Sequence, residues 1–450
     1  MMPDKKYDVI VVGAGTGGAL TAISLAEKGV KVLLLDSKNE KLIGKKVCGD
    51  ALGLHHIKNV KIPYPPNDTF KSRLDFVKVY SPSSKYSVTV EGEGLALDRH
   101  RFGQWLLGMA LDKGAELMAD TKATTLSYER GRATQLRTVY KDQSVQSMRA
   151  DYFVDASGYA ATLRKQIPET VGIQKEIPLE DVSVAYREIR WVEQVEEPGI
   201  AKIFLDQDLA PGGYWWYFPQ DEHTLNIGLG VQGGRNVNPK DKLREVVRRR
   251  DDLQKSSTLD AGGGIVPTRR SLYSLVAKNV LFIGDAACTA NPIHGGGIGP
   301  SMLSARACGG AIVKALNDQE NEDERLWEAN IEYTRLYGAK SASLDIFRMF
   351  LQALTNEEIE FGMMKQLISD KDLTEIGYGT GGLTLKDKVL KVIRGISKPG
   401  VLKNLSETAK YMKLVKEEYD KYPDIIGFPE WVNRVEVIFR KYSSDYTAKK

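Results

Sequence analysis

The chain opens on an unbroken apolar run. Tyr7 to Val12 (YDVIVV) has the pattern of a buried strand, and the turn Gly13-Ala14-Gly15-Thr16-Gly17-Gly18 follows it directly. Helical spacing then runs from Ala19 to Lys28 and stops at Gly29, a residue suited to a helix C-terminus. With the strand Lys31 to Asp36 (KVLLLD), this predicts a β-turn-α-β unit, the nucleotide-binding half of a doubly wound sheet. Residues 73 to 90 switch to alternating apolar and polar positions (LDFVKVYS, YSVTV), the signature of a half-exposed antiparallel sheet. Helical spacing from Arg101 to Gly114, strands around a turn at Glu129 to Arg132, and the short apolar strand Tyr152 to Asp155 rejoin the first unit. Strand patterns resume between Val182 and Val231, and Asn279 to Ile283 is again a buried strand, ending in Gly284-Asp285. Beyond residue 300 nearly everything is helix-periodic and lysine-rich, broken at Gly377 to Gly382 and at Pro399-Gly400.

These patterns predict an α/β fold with a Rossmann-like nucleotide domain interleaved with an antiparallel-sheet substrate domain, plus a helical C-terminal region. The nucleotide domain is expected over 1–72, 96–170 and 276–320, the sheet domain over 73–95 and 171–275, and the helical region over 321–450.

Composition narrows the function. With 63 basic against 59 acidic residues the net charge is only +4, without the dense positive field of a nucleic-acid-binding domain. No apolar run reaches the roughly 18 residues that span a bilayer, and Met1 to Tyr7 is too short and polar for a signal peptide, so a cytoplasmic location is expected. Cys48, Cys288 and Cys308 form no zinc spacing and no secreted disulfide framework, so no metal is expected. Lys386 to Lys450 holds 15 basic against 9 acidic residues and carries apolar positions at Val389, Val392, Ile393, Ile396, Leu402, Leu405, Met412 and Val415. Two readings stand for this tail: a face for peripheral contact with an anionic membrane, or solvated lysines over an ordinary helix-packing face.

The candidate chemistry begins with Gly13, Gly15 and Gly18. In G-x-G-x-x-G after a strand, glycine allows a tight turn, close approach to a pyrophosphate and packing on the sheet, while the helix N-terminus holds the anion. Asp36 ends the second strand, where a carboxylate can accept from an adenosine ribose; an acid there favours FAD or NAD over NADP. A second segment favours the flavin: Val280 to Asp285 (VLFIGD) is followed by Asn291-Pro292-Ile293-His294-Gly295-Gly296-Gly297-Ile298-Gly299. Its aspartate suits ribityl hydroxyls, and its glycines let backbone N–H groups approach a flavin ring.

The amino-terminal fingerprint, Leu97-Asp98-Arg99, Val154-Asp155-Ala156-Ser157-Gly158 and the Gly284-Asp285 block occur in the order found in hydroxylase-type flavoproteins. Within that group the chain resembles the geranylgeranyl reductases, specifically the archaeal digeranylgeranylglycerophospholipid reductases, over about residues 5 to 440. The stretches that carry this are Lys46-Val47-Cys48-Gly49-Asp50, Pro211 to Pro219 (PGGYWWYFP) with Gly228-Leu229-Gly230, Val266-Pro267-Thr268-Arg269-Arg270, and Ser341 to Phe350. The resemblance implies FAD contacts at Gly17 and Asp36 near the adenosine, Arg99 at the pyrophosphate, and Cys48, Gly49 and Ala51 beside the flavin. It also implies Asp285, Gly297 and Ile298 at the ribityl chain and ring, with Ala123 offering backbone to adenine. Gly299-Pro300-Ser301 through Ala305-Arg306 departs from the small residues usual in relatives, which puts pocket shape or helix packing in question.

The reaction implied is saturation of isolated double bonds in geranylgeranyl phospholipid. Such an alkene has no carbonyl to polarise it, so hydride must arrive with a proton while positive charge grows on the tertiary carbon. Tyr214, Trp216 and Phe218 fall on one face of a strand and could line an apolar tunnel or simply fill a sheet core; aromatic faces also stabilise a cation. Cys48 is the leading candidate acid, either as a proton relay or paired with another cysteine such as Cys308, with His294 as a weaker one. The single dinucleotide fingerprint is used by FAD, so electrons are expected from an external donor such as ferredoxin or a reduced nicotinamide. A flavin monooxygenase or halogenase of the same fold is the nearest rival, and a non-catalytic prenyl-lipid carrier a more distant one.

Overall fold

The computed structural model describes residues 6–368 and 399–447 of the 450-residue chain. Five strands run parallel in the order Val280–Phe282, Val145–Asp155, Lys6–Val12, Val32–Leu35, Glu116–Met118. Val276–Ala277 closes one edge antiparallel, and the hairpin Thr121–Glu129 with Arg132–Tyr140 extends the sheet from Val145–Asp155. The apolar run at the chain's start is continuous because Lys6–Val12 lies mid-sheet and is covered on both faces. Helix Thr16–Ala26 is buried at every position and packs so closely on helix Ile298–Asn317 that Gly17 faces Ser301 and Gly309 faces Ser24.

A second sheet of eight strands has the order Ser257–Val266, Ser183–Trp191, Thr224–Gln232, Tyr214–Pro219, Ile200–Phe204, Phe70–Tyr80, Ser87–Leu97, Ala51–Gly53. Every pair is antiparallel except Ile200–Phe204 with Phe70–Tyr80. Two of its strands escape the hydrophobic pattern: Ala51–Gly53 is too short to show a period, and Ser257–Val266 carries three consecutive glycines and is mostly exposed. The expected boundary at residue 73 falls inside the strand Phe70–Tyr80, which follows a short 3-10 turn rather than a break in polarity.

The alternation along Tyr214–Pro219 is realised. Trp215 and Tyr217 enter a core with Phe204, Leu225, Ile227, Leu229, Leu243 and Val246, where Trp215 stacks on Phe204 with ring centres 3.7 Å apart. Tyr214, Trp216 and Phe218 face the opposite way, toward the first domain.

Helices Glu322–Tyr333, Ala339–Gln352, Asn356–Met364, Pro399–Tyr419 and Phe428–Thr447 follow, and the later ones surround a separate core. Leu402, Leu405, Met412 and Val415 are buried in it beside Ile346, Phe347 and Trp431, so this stripe is taken up by internal packing and is not a lipid-facing surface. Val389, Val392, Ile393 and Ile396, like the Gly377 to Gly382 break, lie outside the described residues. Among the described residues no helix is long and apolar enough to cross a membrane.

A buried ionic network ties the helical region to the second sheet. Asp345 is fully buried and accepts from Arg270 at 2.9 Å and Arg348 at 2.8 Å, while Asp181 accepts from Arg269 at 3.0 Å and Arg348 at 2.9 Å. Burial alone would raise the Asp345 carboxyl, but Arg348, Arg270 and Arg269 together hold it below the usual carboxylate range. The network joins Val266–Arg270 to Ser341–Phe350, two stretches far apart in sequence. Removing one charge strands buried guanidinium groups, so Asp345→Asn is expected to lower unfolding free energy by about 3–5 kcal/mol in urea titrations. Because its folded pKa is depressed, the contribution of Asp345 is present at neutral pH and is lost only as pH falls below the ordinary range of an unfolded aspartate toward the lower folded value.

Candidate functional site

The site opens where the parallel strands end. Lys6–Val12 has Val32–Leu35 on one side and Val145–Asp155 on the other, so a crevice forms at the carboxyl ends of the strands. Gly13 takes φ +104°, and a Cβ there would sit 2.4 Å from the Ala156 carbonyl oxygen; one at Gly18 would sit 1.8 Å from the Gly13 oxygen. Beside Gly15, by contrast, a Cβ would meet nothing within 4 Å. Two of the glycines are therefore required by backbone packing, and the middle one leaves open space at the N-terminus of Thr16–Ala26, whose first amides no side chain caps.

Arg99 lies over this opening. Its Nη2 donates to Thr16 Oγ1 at 2.6 Å, while Nε and Nη1 are buried without a partner. Unpaired guanidinium nitrogens next to free helix amides are what an anion would satisfy, so the residues present fit a dinucleotide pyrophosphate. Asp36 Oδ2 accepts from Ala14 N and Oδ1 from Lys38 N, both at 2.8 Å, which fixes the carboxylate while leaving lone pairs for a ribose. Ala123 lies in the strand that begins at Thr121, whose amide donates to the Asp36 carbonyl, so its backbone is at the same end of the crevice.

At the other end, Asp285 follows Gly284 and accepts from Lys46 Nζ at 2.9 Å. Gly297 lies against Asp285, with a would-be Cβ 3.3 Å from Oδ1, and Ile298 opens a 20-residue helix that has no side-chain cap. His294 Nδ1 accepts from Gly296 N, and burial with nearby Lys340 lowers its pKa to about 4, so the ring is neutral and serves as an acceptor that shapes the loop. Its carbonyl accepts from Tyr214 Oη at 2.6 Å, joining the glycine-rich loop to the aromatic strand.

Between the two ends runs Cys48-Gly49-Asp50. Gly49 is in contact with Phe218, where a Cβ would come within 3.2 Å of the ring, and with the Trp216 indole. Asn226 locks this segment: its Oδ1 accepts from Trp216 Nε1 at 2.9 Å, and its Nδ2 donates to the Cys48 carbonyl and to Asp50 Oδ2, each at 2.9 Å. Burial and the neighbouring Asp50 raise the Cys48 thiol above its ordinary pKa. All three cysteines are free; Cys308 is buried in helix Ile298–Asn317 with its sulfur on the Phe282 carbonyl, away from Cys48. Ala51 begins the edge strand and is exposed.

The structure thus brings Gly13, Gly15, Gly17, Gly18, Asp36, Arg99, Asp285, Gly297 and Ile298 to one crevice, with Cys48, Gly49 and the Tyr214, Trp216 and Phe218 face along its side. Sequence reasoning did not single out Asn226, Asp50 as an ionisable group, or Lys46. Asn226 gives no signal in one sequence, since only folding sets it opposite Phe218 in the sheet register. Asp155 proves structural: it is fully buried and accepts from Ser157, Leu163 and Arg164 amides and from Ser157 Oγ, closing the turn that supports Gly13. Arg306 bonds Val60 O, Ser24 Oγ and Glu27, which makes it a helix-packing residue outside the crevice.

Comparison with known proteins agrees with this layout. Residues 8–177 match the family model of FAD dependent oxidoreductases, and residues 181–266 match the geranylgeranyl reductase catalytic domain. The digeranylgeranylglycerophospholipid reductase of Sulfolobus acidocaldarius is 38% identical over 439 residues, covering 94% of each chain. A geranylgeranyl bacteriochlorophyll reductase-like protein of Thermoplasma acidophilum superposes with TM-score 0.75 at 21% identity, over 90% of this chain and 99% of that one. A flavin-dependent brominase superposes with TM-score 0.66 at 17% identity, over 90% and 99%. At such identities the two structures speak for the fold alone, whereas the full-length match and the catalytic-domain match separate reductase from halogenase. The chain belongs to the digeranylgeranylglycerophospholipid reductase family of FAD-dependent oxidoreductases.

Proposed function

We propose that this protein saturates isolated double bonds in the geranylgeranyl chains of archaeal-type membrane phospholipid, with FAD bound along the crevice. The observation that carries this reading is the contact of the Tyr214, Trp216 and Phe218 face with the Cys48-Gly49-Asp50 segment, midway between two sites suited to the ends of one dinucleotide. Gly13, Gly15, Gly18 and Arg99 would hold the pyrophosphate, Gly17 and Asp36 the adenosine, and Ala123 the adenine through its backbone. Asp285 would take ribityl hydroxyls on the oxygen Lys46 leaves free, with Gly297, Ile298, Cys48, Gly49 and Ala51 around the ring. When bound, FAD supplies the hydride chemistry.

The chain's own contribution is placement and electrostatics. Trp216 is held by its indole N–H, so its face is fixed where positive charge would grow on the tertiary carbon. Phe218 packs against the apolar cluster of Leu74, Ala96 and Ala201, and Leu74 also lines a cavity of about 270 Å³ with Leu54, Ile57 and Tyr64. Lys58, Arg73, Asp75 and Glu93 also line that cavity. Electrons would come from an external donor, ferredoxin or a reduced nicotinamide, and the lipid substrate calls for peripheral contact with the inner face of a membrane. With Leu402, Leu405, Met412 and Val415 buried, contact through the basic residues of Pro399–Tyr419 would be electrostatic and salt-sensitive.

Three outcomes are expected. The purified protein, chemically reduced without air and given geranylgeranyl phospholipid, yields lipid heavier by two hydrogens per double bond in mass spectrometry; unchanged mass with lipid bound would overturn the assignment in favour of a carrier. Trp216→Leu keeps its flavin spectrum and slows saturation roughly 2- to 30-fold, the range set by a cation–π contribution of about 0.5–2 kcal/mol. Arg99→Ala weakens FAD roughly 10- to 150-fold in fluorescence titrations, as for a charge-assisted bond of about 1.5–3 kcal/mol; unaltered affinity would remove Arg99 from the pyrophosphate site.

A further inference from the structure

We propose that Asp50 is the acid that protonates the alkene, an inference that rests on the reductase reading above. Asp50 lies between Gly49, which touches the aromatic face, and Ala51, which begins the edge strand, and its carbonyl accepts from Leu97 N at 2.7 Å. It is a non-glycine residue at φ +62°, a conformation that disfavours L side chains, and its side chain is 4% exposed. The fold thus buries a carboxyl at a positive φ next to the residue that touches the aromatic face.

The hydrogen bonds around it are one-sided. Trp216 Nε1 can only donate, so the oxygen of Asn226 must face the indole and its Nδ2 must face Asp50. Asp50 Oδ2 accepts from Asn226 at 2.9 Å and from Gln220 Nε2 at 3.5 Å, while Oδ1 is buried with no partner. A buried carboxylate calls for donors on both oxygens, and only Oδ2 has them; a carboxylic acid with its carbonyl oxygen on Asn226 carries its proton on Oδ1, where no protein group accepts it.

The charged groups that face Asp50 are Arg187 from strand Ser183–Trp191, Arg99 and Asp98 at the start of helix Arg99–Asp112, and Cys48 from its own segment. Arg187 is already paired with Asp260 at 2.7 Å, and Arg99 bonds Thr16. Burial is the largest influence, and despite the two arginines it raises the Asp50 pKa to about 7. A pyrophosphate on Arg99 would offset one of the cations that lower it, so Asp50 in the holoenzyme should hold its proton at least as firmly. Of Cys48, His294 and Asp50, Cys48 is pushed upward and His294 is an acceptor held near 4, so Asp50 is the one suited to donate near neutrality; Lys340, lowered by burial to about 8, lies on the His294 side.

In the step, the π pair takes the proton from Asp50 Oδ1 at the less substituted alkene carbon, and hydride reaches the tertiary carbon. Two C–H bonds form while the alkene π bond, the Asp50 O–H bond and the donor's bond to the hydride break, the alkene gains two electrons from the reduced cofactor, which is oxidised, and the carboxylate is reprotonated from solvent. The positive charge between the two transfers would lie against Trp216, and the nascent Asp50 carboxylate would lie on the same Asn226 amide.

The test uses full-length holoenzyme, reduced anaerobically and mixed with geranylgeranyl phospholipid, with reoxidation of the flavin followed by absorbance. Wild type should reoxidise with a rate that falls as pH rises through about 7 or above. Asp50→Asn, which keeps an acceptor for Asn226, should retain its flavin spectrum and chemical reduction yet lose about 10²- to 10⁴-fold in that rate along with the pH limb. Asp50→Glu should recover part of the rate with a displaced limb. Asp50→Asn within threefold of wild type, or a wild-type rate that is flat between pH 5 and about 9, overturns the proposal, as does loss of the limb in Cys48→Ser with its retention in Asp50→Asn. Should Asp50→Asn fail to fold, the wild-type pH limb and Asp50→Glu decide by themselves. If reduced wild type is not reoxidised by the lipid at any pH, the reductase reading has failed rather than the role of Asp50.

Discussion

Everything in the crevice depends on how closely three backbone segments meet at the ends of two parallel strands. The Gly13 carbonyl lies where a side chain on Gly18 would be, and the Ala156 carbonyl lies where one on Gly13 would be. Asp155 holds the second of these turns by accepting four hydrogen bonds on a fully buried carboxylate, so the packing of Gly13 is set from beneath by a residue that never reaches a ligand. Only because this contact is so tight do the free amides of Thr16–Ala26 and the unpaired nitrogens of Arg99 face the same opening.

Polar bonds set the geometry around that opening, beside the apolar packing of Leu52, Leu95 and Leu97 of the second sheet into the first core. Tyr214 bonds the loop carbonyl of His294, Asn226 bonds the Cys48 carbonyl, and Lys46 reaches Asp285 from the segment just ahead of Cys48. Directional bonds suit this task better than apolar packing, since they set the distance between an aromatic face and a ring site without filling the gap between them. The apolar half of the aromatic strand is used elsewhere: Trp215 and Tyr217 anchor the sheet in its own core, so the three outward rings are borne on a rigid support.

How much of this the sequence disclosed follows from the range of each interaction. Lys6–Val12, its glycine turn and Asp36 are contiguous, so period and spacing were enough to predict the unit and its ligand class. The alternation in Tyr214–Pro219 likewise predicted which rings face outward. Ser257–Val266 was hidden because glycine carries no hydropathy, although its partner strand pairs with it along the full length. The apolar stripe of Pro399–Tyr419 was ambiguous because amphipathicity cannot distinguish a membrane from a neighbouring helix; Ile346, Phe347 and Trp431 settle it. Asn226 and Asp50 are 176 positions apart, and no local pattern can join them.

The same burial that makes the crevice apolar enough for a prenyl chain also decides its ionisations. A hydrocarbon substrate requires a site with little water, and in such a site a carboxyl without a cation of its own tends to stay protonated, a thiol is a poor acid and an imidazole stays neutral. Asp50, Cys48 and His294 follow that order, while Asp345, equally buried but set among three arginines, goes the other way. Charge pairing is therefore spent on the network that holds the helical region in place and withheld from the side of the crevice where a proton must be given up. An unpaired buried acid is costly to fold around, and the strained backbone at Asp50 adds to that cost. The fold carries both because Asn226, locked by Trp216, and Gln220 offer only neutral donors to one oxygen of Asp50, and burial outweighs the pull of the Asn226 bond toward the ionised form.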